Sequence, residues 1–443
     1  MGNHATLILL IAAALAPLNA GEKNAERESV DVLKRATARV IANYENFRSL
    51  TCVETIERDY YRPRTPMLPG CHQVMEERQQ GPVLLLCSRD RLRLEVATSS
   101  AGEIHAWPGA SRFSDSPLGS LVPSGPIGTG PFGVLLNLIF VHDVKAFARV
   151  GELMLDGRRS LTYQFSVPPA DSHFLVKSQD NTTWLVAGYE GGVRIDAESA
   201  DPISLSVTAN NPPPATGVCQ TMTSVQLKRA RVHDEDVLMP DIGRLHFVGS
   251  TGNETRSRIT FSNCRLYSSE SSITFYDQGE ATAVRLAASP VVPAAVPDSV
   301  PFSMELVDPI DSNTAAAGDR FAARLTDSVK DGRRLIAPKG ATVEGRISDV
   351  EVTFRPQQMV MFGLIPEYVD VRGAKMPFGA RLDTRLQVLA KERKKRKGLE
   401  FYLPEPGEWA HQFRFNGTHA VLPKGFVSRW VTTYTRPVRG SVP

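Results

Sequence analysis

Few residues in this chain stand at spacings that do chemistry. Gly128-Thr129-Gly130-Pro131-Phe132-Gly133 matches the GxGxxG pattern whose backbone cradles a dinucleotide pyrophosphate. That role needs a buried strand before the glycines and a βαβ context around them. Pro123-Ser124-Gly125-Pro126 precedes them instead, so the glycines are read as turning the chain into a short helix. Asp196, Glu198 and Asp201 fall close together, but an EF-hand calcium loop also needs a central glycine and a distal glutamate. A hairpin turn accounts for them. His411 and His419 flank Phe413, Phe415 and Asn416, with no third metal ligand in view, and the other histidines stand isolated in the sequence. No GxSxG, HExxH or SxxK motif and no catalytic-cysteine signature occurs, which points away from an enzyme. No catalytic residue, metal ligand or cofactor is assigned.

The cysteines carry more. Cys52, Cys71, Cys87, Cys219 and Cys264 show neither CxxC nor Cys/His metal spacing, so in an oxidising compartment they read as disulfides with one thiol left over. Cys219 and Cys264 lie in strand-like runs of one sheet-rich region and form the expected pair. Cys52 with Cys71 is the second, which leaves Cys87 free in the apolar run Val83–Cys87.

That compartment follows from the start of the chain. Leu7–Ala16 (LILLIAAALA) is apolar but about half the ~20 residues a membrane span needs, and it fits the core of a secretory signal peptide cleaved after Ala20. The protein is expected to be exported, periplasmic or extracellular. Lys and Arg total 51 against 48 Asp and Glu, a net charge of +3. The run Lys391–Lys397 alone carries six positive charges and one negative, so the remainder is close to neutral and no general nucleic-acid-binding surface is implied. The run has no interleaved aromatics, so base stacking is not expected; it reads as a solvated loop between strands, with contact to anionic lipid headgroups or lipopolysaccharide as the alternative.

These residues must be held by mostly β elements. Ser29–Phe47 reads as a helix, with Val30, Leu33, Val40, Ile41, Tyr44 and Phe47 on one face and Asp31, Lys34, Arg35 and Asn43 opposite. From Leu50 the texture turns to strands. Arg91–Val96 alternates strictly, and short strands recur through Thr51–Tyr61, Glu103–Trp107, Leu161–Val167, Gly192–Asp196, Ile203–Val207, Gln220–Arg229, Leu245–Val248 and Arg258–Arg265. Together they describe one large antiparallel sheet. Pro131–Val141 interrupts it as a short apolar helix. Residues 286–301, rich in Ala, Pro and Val, read as a stiff linker between a domain at 21–285 and a second β domain at 302–443 that includes the basic run.

Residues 29–276 resemble the LolA/LolB-like lipoprotein-carrier superfamily. The resemblance rests on Tyr189–Glu198 (YEGGVRIDAE) followed by Pro202-Ile203-Ser204-Leu205. It implies a curved antiparallel half-barrel with an N-terminal helix and apolar lid helices over the concave side. Unlike LolB, the chain has no lipobox. Leu50–Arg58, Gly125–Gly130 and Ser262–Arg265 are similar to an uncharacterised family of exported bacterial proteins, which supplies no activity. Residues 303–348, through Ala317–Leu325 and Leu335–Gly345, resemble the β domain of the TrbI-type subunit of conjugative secretion channels; the membrane-inserting helices of that subunit have no counterpart here.

The expected fold is thus mainly β (α+β): a half-barrel sheet with N-terminal and lid helices, then a second small β domain. The expected function is a non-enzymatic binding protein of the bacterial cell envelope. A lipid or lipoprotein acyl chain would lie against Val134, Leu135, Leu138 and Ile139 of the lid. The alternative is a structural or assembly scaffold with envelope proteins as partners. Peripheral membrane contact is expected, and nucleic acid is not.

Overall fold

The computed structural model describes residues 20–47, 50–99, 102–110, 113, 118–122, 125–155, 157–180, 182–232, 235–266, 296–383 and 411–433. The signal-peptide core, linker residues 286–295 and the basic run 391–397 lie outside the described residues. Among the described residues no helix is long and apolar enough to cross a membrane.

The chain is mainly β, a large curved antiparallel sheet with an N-terminal helix. Helix α1 (Ala20–Phe47) is followed by β1 (Leu50–Pro63), α2 (Cys71–Gln79), β2 (Leu84–Ser99), β3 (Gly102–Ala106) and the short α3 (Leu118–Leu121). Helix α4 (Val134–Asn137) continues as a π-helical turn, Leu138–Asp143. Then come β4 (Ala148–Leu155), β5 (Arg158–Val167), the small hairpin β6 (Leu175–Lys177) and β7 (Trp184–Val186), β8 (Tyr189–Asp196), β9 (Pro202–Asn210), β10 (Val218–Val232), β11 (Glu235–Gly249) and β12 (Glu254–Leu266). The pairings run β3-β2-β1-β12-β11-β10-β9-β8-β5-β4, all antiparallel. Most neighbours are hairpin partners, but β1 closes against β12, some 200 residues later, with Glu54 opposite Phe261 and Ile56 opposite Ile259.

That pairing corrects the expected disulfides. Cys264 on β12 bonds to Cys52 on β1, Cα atoms 4.1 Å apart, where a β-bulge shifts the register and Asn263 takes a positive φ. Cys219, at the start of β10, bonds to Cys71, the first residue of α2, at a Cα separation of 4.9 Å. Neither Cys219–Cys264 nor Cys52–Cys71 forms, because β11 separates β10 from β12 and β1 inserts beside β12. Cys87 is the free thiol, as expected.

Helix α1 lies across the apolar face of the sheet. Its inward residues are Val32, Ala36, Val40 and Phe47, while Val30 and Ile41, expected on the apolar face, are about half exposed. Asn43, expected on the solvent side, docks instead: its amide donates to Leu238 O (2.7 Å) and accepts from Leu238 N (2.9 Å). Helical spacing of 32, 36, 40, 43 and 47 describes this face. Helix α4 and its π-turn lie beside α1, burying Leu135, Leu136, Ile139 and Phe140 against β5, β8, β9 and β10.

The rest of the chain builds a second apolar core. Its strands are β13 (Pro301–Leu306), β14 (Ile310–Asp311), β15 (Arg320–Leu325), β16 (Val329–Asp331), β17 (Arg334–Ala337), β18 (Thr342–Thr353), β19 (Met359–Val371), β20 (Ala374–Pro377), β21 (Ala380–Leu382), β22 (Gln412–Asn416), β23 (Val421–Leu422) and β24 (Val427–Thr432). Trp430, Phe362 and Phe378 lie fully buried at its centre. Val296 and Val300, read from the sequence as linker, are part of this core. The sheets of the two halves are joined: Glu351–Thr353 of β18 pair with Ser88–Asp90 of β2. Around that seam Ala317 exchanges backbone hydrogen bonds with Arg91 and Arg93, Arg93 pairs with Asp319, and Arg320 donates to Gly109 O at 2.6 Å.

Candidate functional site

Three constellations lie on or beside the apolar face. The first is the lid itself. Leu135 and Ile139 are buried, and Val134 and Leu138 are half-buried. Leu135, Leu138 and Ile139 pack among Val32, Ala36 and Val40 of α1 and the inward side chains Leu161, Phe165, Val193 and Leu205. The space left at this seam, among Val40, Phe47, Leu136 and Leu238, is about 10 Å³. Ligand pockets run to about 300–1,000 Å³, so the seam beneath the lid is filled by its own side chains; a space of that size, about 920 Å³, lies instead as an open cleft lined by Thr162, Gln164, Ser166, Arg194, Ser206 and Gln226 of β5, β8, β9 and β10.

The second constellation holds the entrance to the lid. Glu54 on β1 and Glu103 and His105 on β3 share the inward parity of their strands with Cys52 and Leu94. His105 Nε2 meets Glu54 Oε2 at 3.2 Å, both side chains almost wholly buried. The Glu103 carboxylate accepts two backbone N–H groups from the glycine-rich loop, Gly130 N at 2.6 Å and Phe132 N at 2.8 Å. The GxGxxG segment is therefore an anion cradle whose anion is supplied by the protein. Gly130 and Gly133 have φ of +119° and +144°, and a side chain at Gly133 would press on the Phe47 ring, so glycine is required at this turn. Burial, with the Glu54 charge adding to it, pushes the Glu103 carboxyl up to about 7 against the pull of His105 and the two N–H groups. For His105, burial disfavours the charged ring, but Glu54 outweighs it and the pKa stands above the ordinary histidine value.

The third constellation sits where the π-turn ends. Asp143 is fully buried. Its Oδ2 accepts from the Tyr189 hydroxyl (2.9 Å) and from His173 N (3.0 Å), and its Oδ1 lies 2.6 Å from His173 Nδ1. Burial first, and Asp143 second, raise the Tyr189 pKa, so the phenol stays protonated. The His173 ring is 72% exposed, and the ring of His142, also exposed, stands edge-on to it at 6.5 Å between centroids.

The other residues singled out by sequence are structural. Asp196 accepts from Glu198 N and Ser199 N and so shapes the β8–β9 turn, while Asp201 is held by Arg229 and Arg39. His419 pairs with Asp311, and His411 lies just before β22. Among the described residues no three metal-ligating side chains converge. Sequence reading missed the Glu54, His105 and Glu103 group, although strand parity points to it: three ionisable side chains at inward positions. It also missed Asp143, Tyr189 and His173, which meet only through the fold.

No protein-family model matches the chain, and no curated protein matches it. Among solved structures, a LolA superfamily protein from Nitrosomonas europaea matches at 8% identity over 54% of this chain and 93% of that one, with a TM-score of 0.24. A DUF1329 family protein from Desulfovibrio piger matches at 8% identity over 53% and 92%, TM-score 0.24. ComB10 of the Com type IV secretion system of Helicobacter pylori matches at 13% identity over 33% and 90%, TM-score 0.19.

Proposed function

We propose that the chain is a non-enzymatic, exported binding protein of the bacterial cell envelope that holds an acyl chain between its half-barrel sheet and its lid. The supporting observation is the lid's attachment. Helix α4 and its π-turn meet the sheet through apolar side chains and are fastened at each end by one carboxylate, Glu103 at the glycine turn and Asp143 at the end of the π-turn. Lifting this segment uncovers a continuous apolar face lined by Leu161, Phe165, Val193, Leu205 and Val225, the surface an acyl chain would take. Two disulfides fit an oxidising compartment. Beneath the closed lid no acyl chain fits, so binding there and lid displacement are one event.

A second reading, an envelope scaffold, is favoured by the filled interior and by the β2–β18 seam that joins the two halves. One experiment separates the readings. Protein purified from envelope extracts, and again after incubation with phospholipid vesicles, is examined by native mass spectrometry. Acyl-lipid adducts that vanish in a variant whose lid is cross-linked to α1 support the carrier. Lipid-free protein in both preparations, with envelope proteins trapped by cross-linking in cells, supports the scaffold.

A further inference from the structure

We propose that His142 and His173 form a surface site for one divalent transition-metal ion, with Asp143 as the carboxylate that orients His173. This inference stands on its own geometry and does not rest on the acyl-chain reading.

A histidine that ligates a metal through one ring nitrogen commonly gives its other N–H to a carboxylate, which fixes the tautomer and makes the free nitrogen more basic. His173 has this arrangement before any metal arrives. Nδ1 lies 2.6 Å from Asp143 Oδ1, and the carboxylate is itself fixed by Tyr189 and by His173 N. A buried aspartate with three hydrogen-bond partners does not turn, so the Nε2 lone pair of His173 is aimed outward from a ring that is 72% exposed.

The second ligand comes from the lid. His142 precedes Asp143 in the same π-helical turn, so the residue that offers the second imidazole and the one that orients the first are adjacent. π-turns of this kind recur at functional sites. The two ring centroids are 6.5 Å apart. With metal–nitrogen bonds of about 2.0–2.1 Å the rings must approach by about 1 Å, a side-chain rotation open to the exposed His142. Charged neighbours are Lys145 and Asp171, which pair with each other at 2.5 Å and so add little net field.

Two imidazoles leave coordination positions to water, so the site is open and exchangeable, unlike a closed four-ligand structural site. Imidazole ligands suit zinc, copper and nickel and do not suit magnesium or calcium. Because His142 belongs to the lid and His173 to the loop between β5 and β6, an ion bound to both ties the lid's far end to the sheet.

The test is calorimetric titration of the full-length mature protein, stripped by chelator, with Zn²⁺ alone. The expected result is one saturable site per chain and a melting temperature that rises with Zn²⁺. His142→Ala and His173→Ala should each weaken binding at least 10-fold; His142→Ala should leave the metal-free melting temperature within about 2 °C of wild type, since its ring is exposed, whereas His173→Ala should lower it, because it removes the partner of the buried Asp143 carboxylate. Asp143→Asn should weaken it 10–100-fold. Should that variant fail to fold, the two histidine variants decide alone. His419→Ala, which removes the other exposed His–Asp pair, should change nothing. Absence of saturable binding overturns the proposal, and so does undiminished binding in the His142→Ala/His173→Ala double variant. Loss in His173→Ala but not in His142→Ala also overturns it, since that marks a single adventitious imidazole.

Discussion

Replacing Glu103 by Gln should change both the stability of the protein and the way stability depends on pH. The carboxyl is displaced from 4.5 to about 7 in the folded state. At 1.36 kcal/mol per unit that displacement has a ceiling of about 3 kcal/mol, and because the residue retains some solvent contact a value of about 1–3 kcal/mol is expected. The sign follows from proton counting. Between pH 4.5 and 7 the folded state holds the proton that the unfolded state has lost, so stability falls as pH rises through this window. His105, also raised, acts in the same direction: its contribution is complete below its unfolded pKa and is lost as pH rises through the folded one. In Glu103→Gln the amide turns an NH₂ toward one of the two backbone N–H groups. That donor is left unpaired at a cost of about 1–3 kcal/mol, while the Glu103 part of the pH slope disappears. Urea unfolding at pH 5 and pH 8, followed by Trp107 and far-UV signals, measures both. Wild type should lose stability between the two pH values, and the variant should be weaker at pH 5 but flatter. An unchanged slope would refute the argument that this buried carboxyl titrates with the fold.

Peptide mapping without reductant should recover Cys52 joined to Cys264 and Cys71 joined to Cys219, with Cys87 alone alkylated in the unfolded protein; any peptide joining Cys219 to Cys264 contradicts the β1–β12 pairing. Removing the inner bridge by Cys71→Ala/Cys219→Ala opens a loop of 148 residues, and a loss on the order of 3–5 kcal/mol is expected from thermal or urea unfolding. Leu135→Ala should cost about 2–4 kcal/mol in the same assay, whereas Leu335→Ala, at a half-exposed site, should stay within about 0.5 kcal/mol. Arg58, buried and bidentate on Asp90 at 2.8 and 2.6 Å, leaves an uncompensated carboxylate when changed to Ala; a loss of about 3–5 kcal/mol is expected, and Arg58→Lys should restore only part of it.

What the sequence carries and what it hides divide along contact distance. The alternation Arg91–Val96 and the hairpin Tyr189–Leu205 are local, and both appear as strands in register. The helix at Pro131–Val141 is there too, shifted to Val134–Asp143, because Gly130 and Gly133 turn the chain before it begins. Strand β1, by contrast, looks alike whichever neighbour it takes. Its place beside β12 brings Cys52 to Cys264, and no spacing along the chain encodes that choice. Helix α2 gave no apolar stripe because it buries little beyond Val74 and is fastened by its cysteine. The edge strand β4 was missed for a related reason: both of its faces are largely exposed, so it shows no inward–outward alternation. The Asp143 group could not be read at all, since its partners are 30 and 46 residues away.

Whether an acyl chain can replace the lid is a question of matched magnitudes. Lifting the segment exposes Leu135, Leu136, Ile139 and Phe140, at about 1.5–3 kcal/mol each, so about 6–12 kcal/mol in all. A saturated chain of about 16 carbons taken from water regains about 0.8 kcal/mol per methylene buried, or about 13 kcal/mol if all of it is covered. The two terms nearly cancel. Hydrophobic exchange therefore supplies little preference for open or closed, and small polar contributions decide. These are the two hydrogen bonds that Glu103 accepts from Gly130 and Phe132 at the start of the lid and the three that Asp143 accepts from Tyr189 and His173 at its end. Each is worth about 0.5–1.5 kcal/mol when neutral partners are involved and more when the carboxylate is charged. A protein that exchanges lid for ligand would need its latch in this range: strong enough to keep the empty half-barrel shut, weak enough for one acyl chain to open it. If Glu103→Gln binds phospholipid more readily than wild type, the carboxylate is that latch; if it binds equally, the lid is simply core and the carrier reading loses its mechanism.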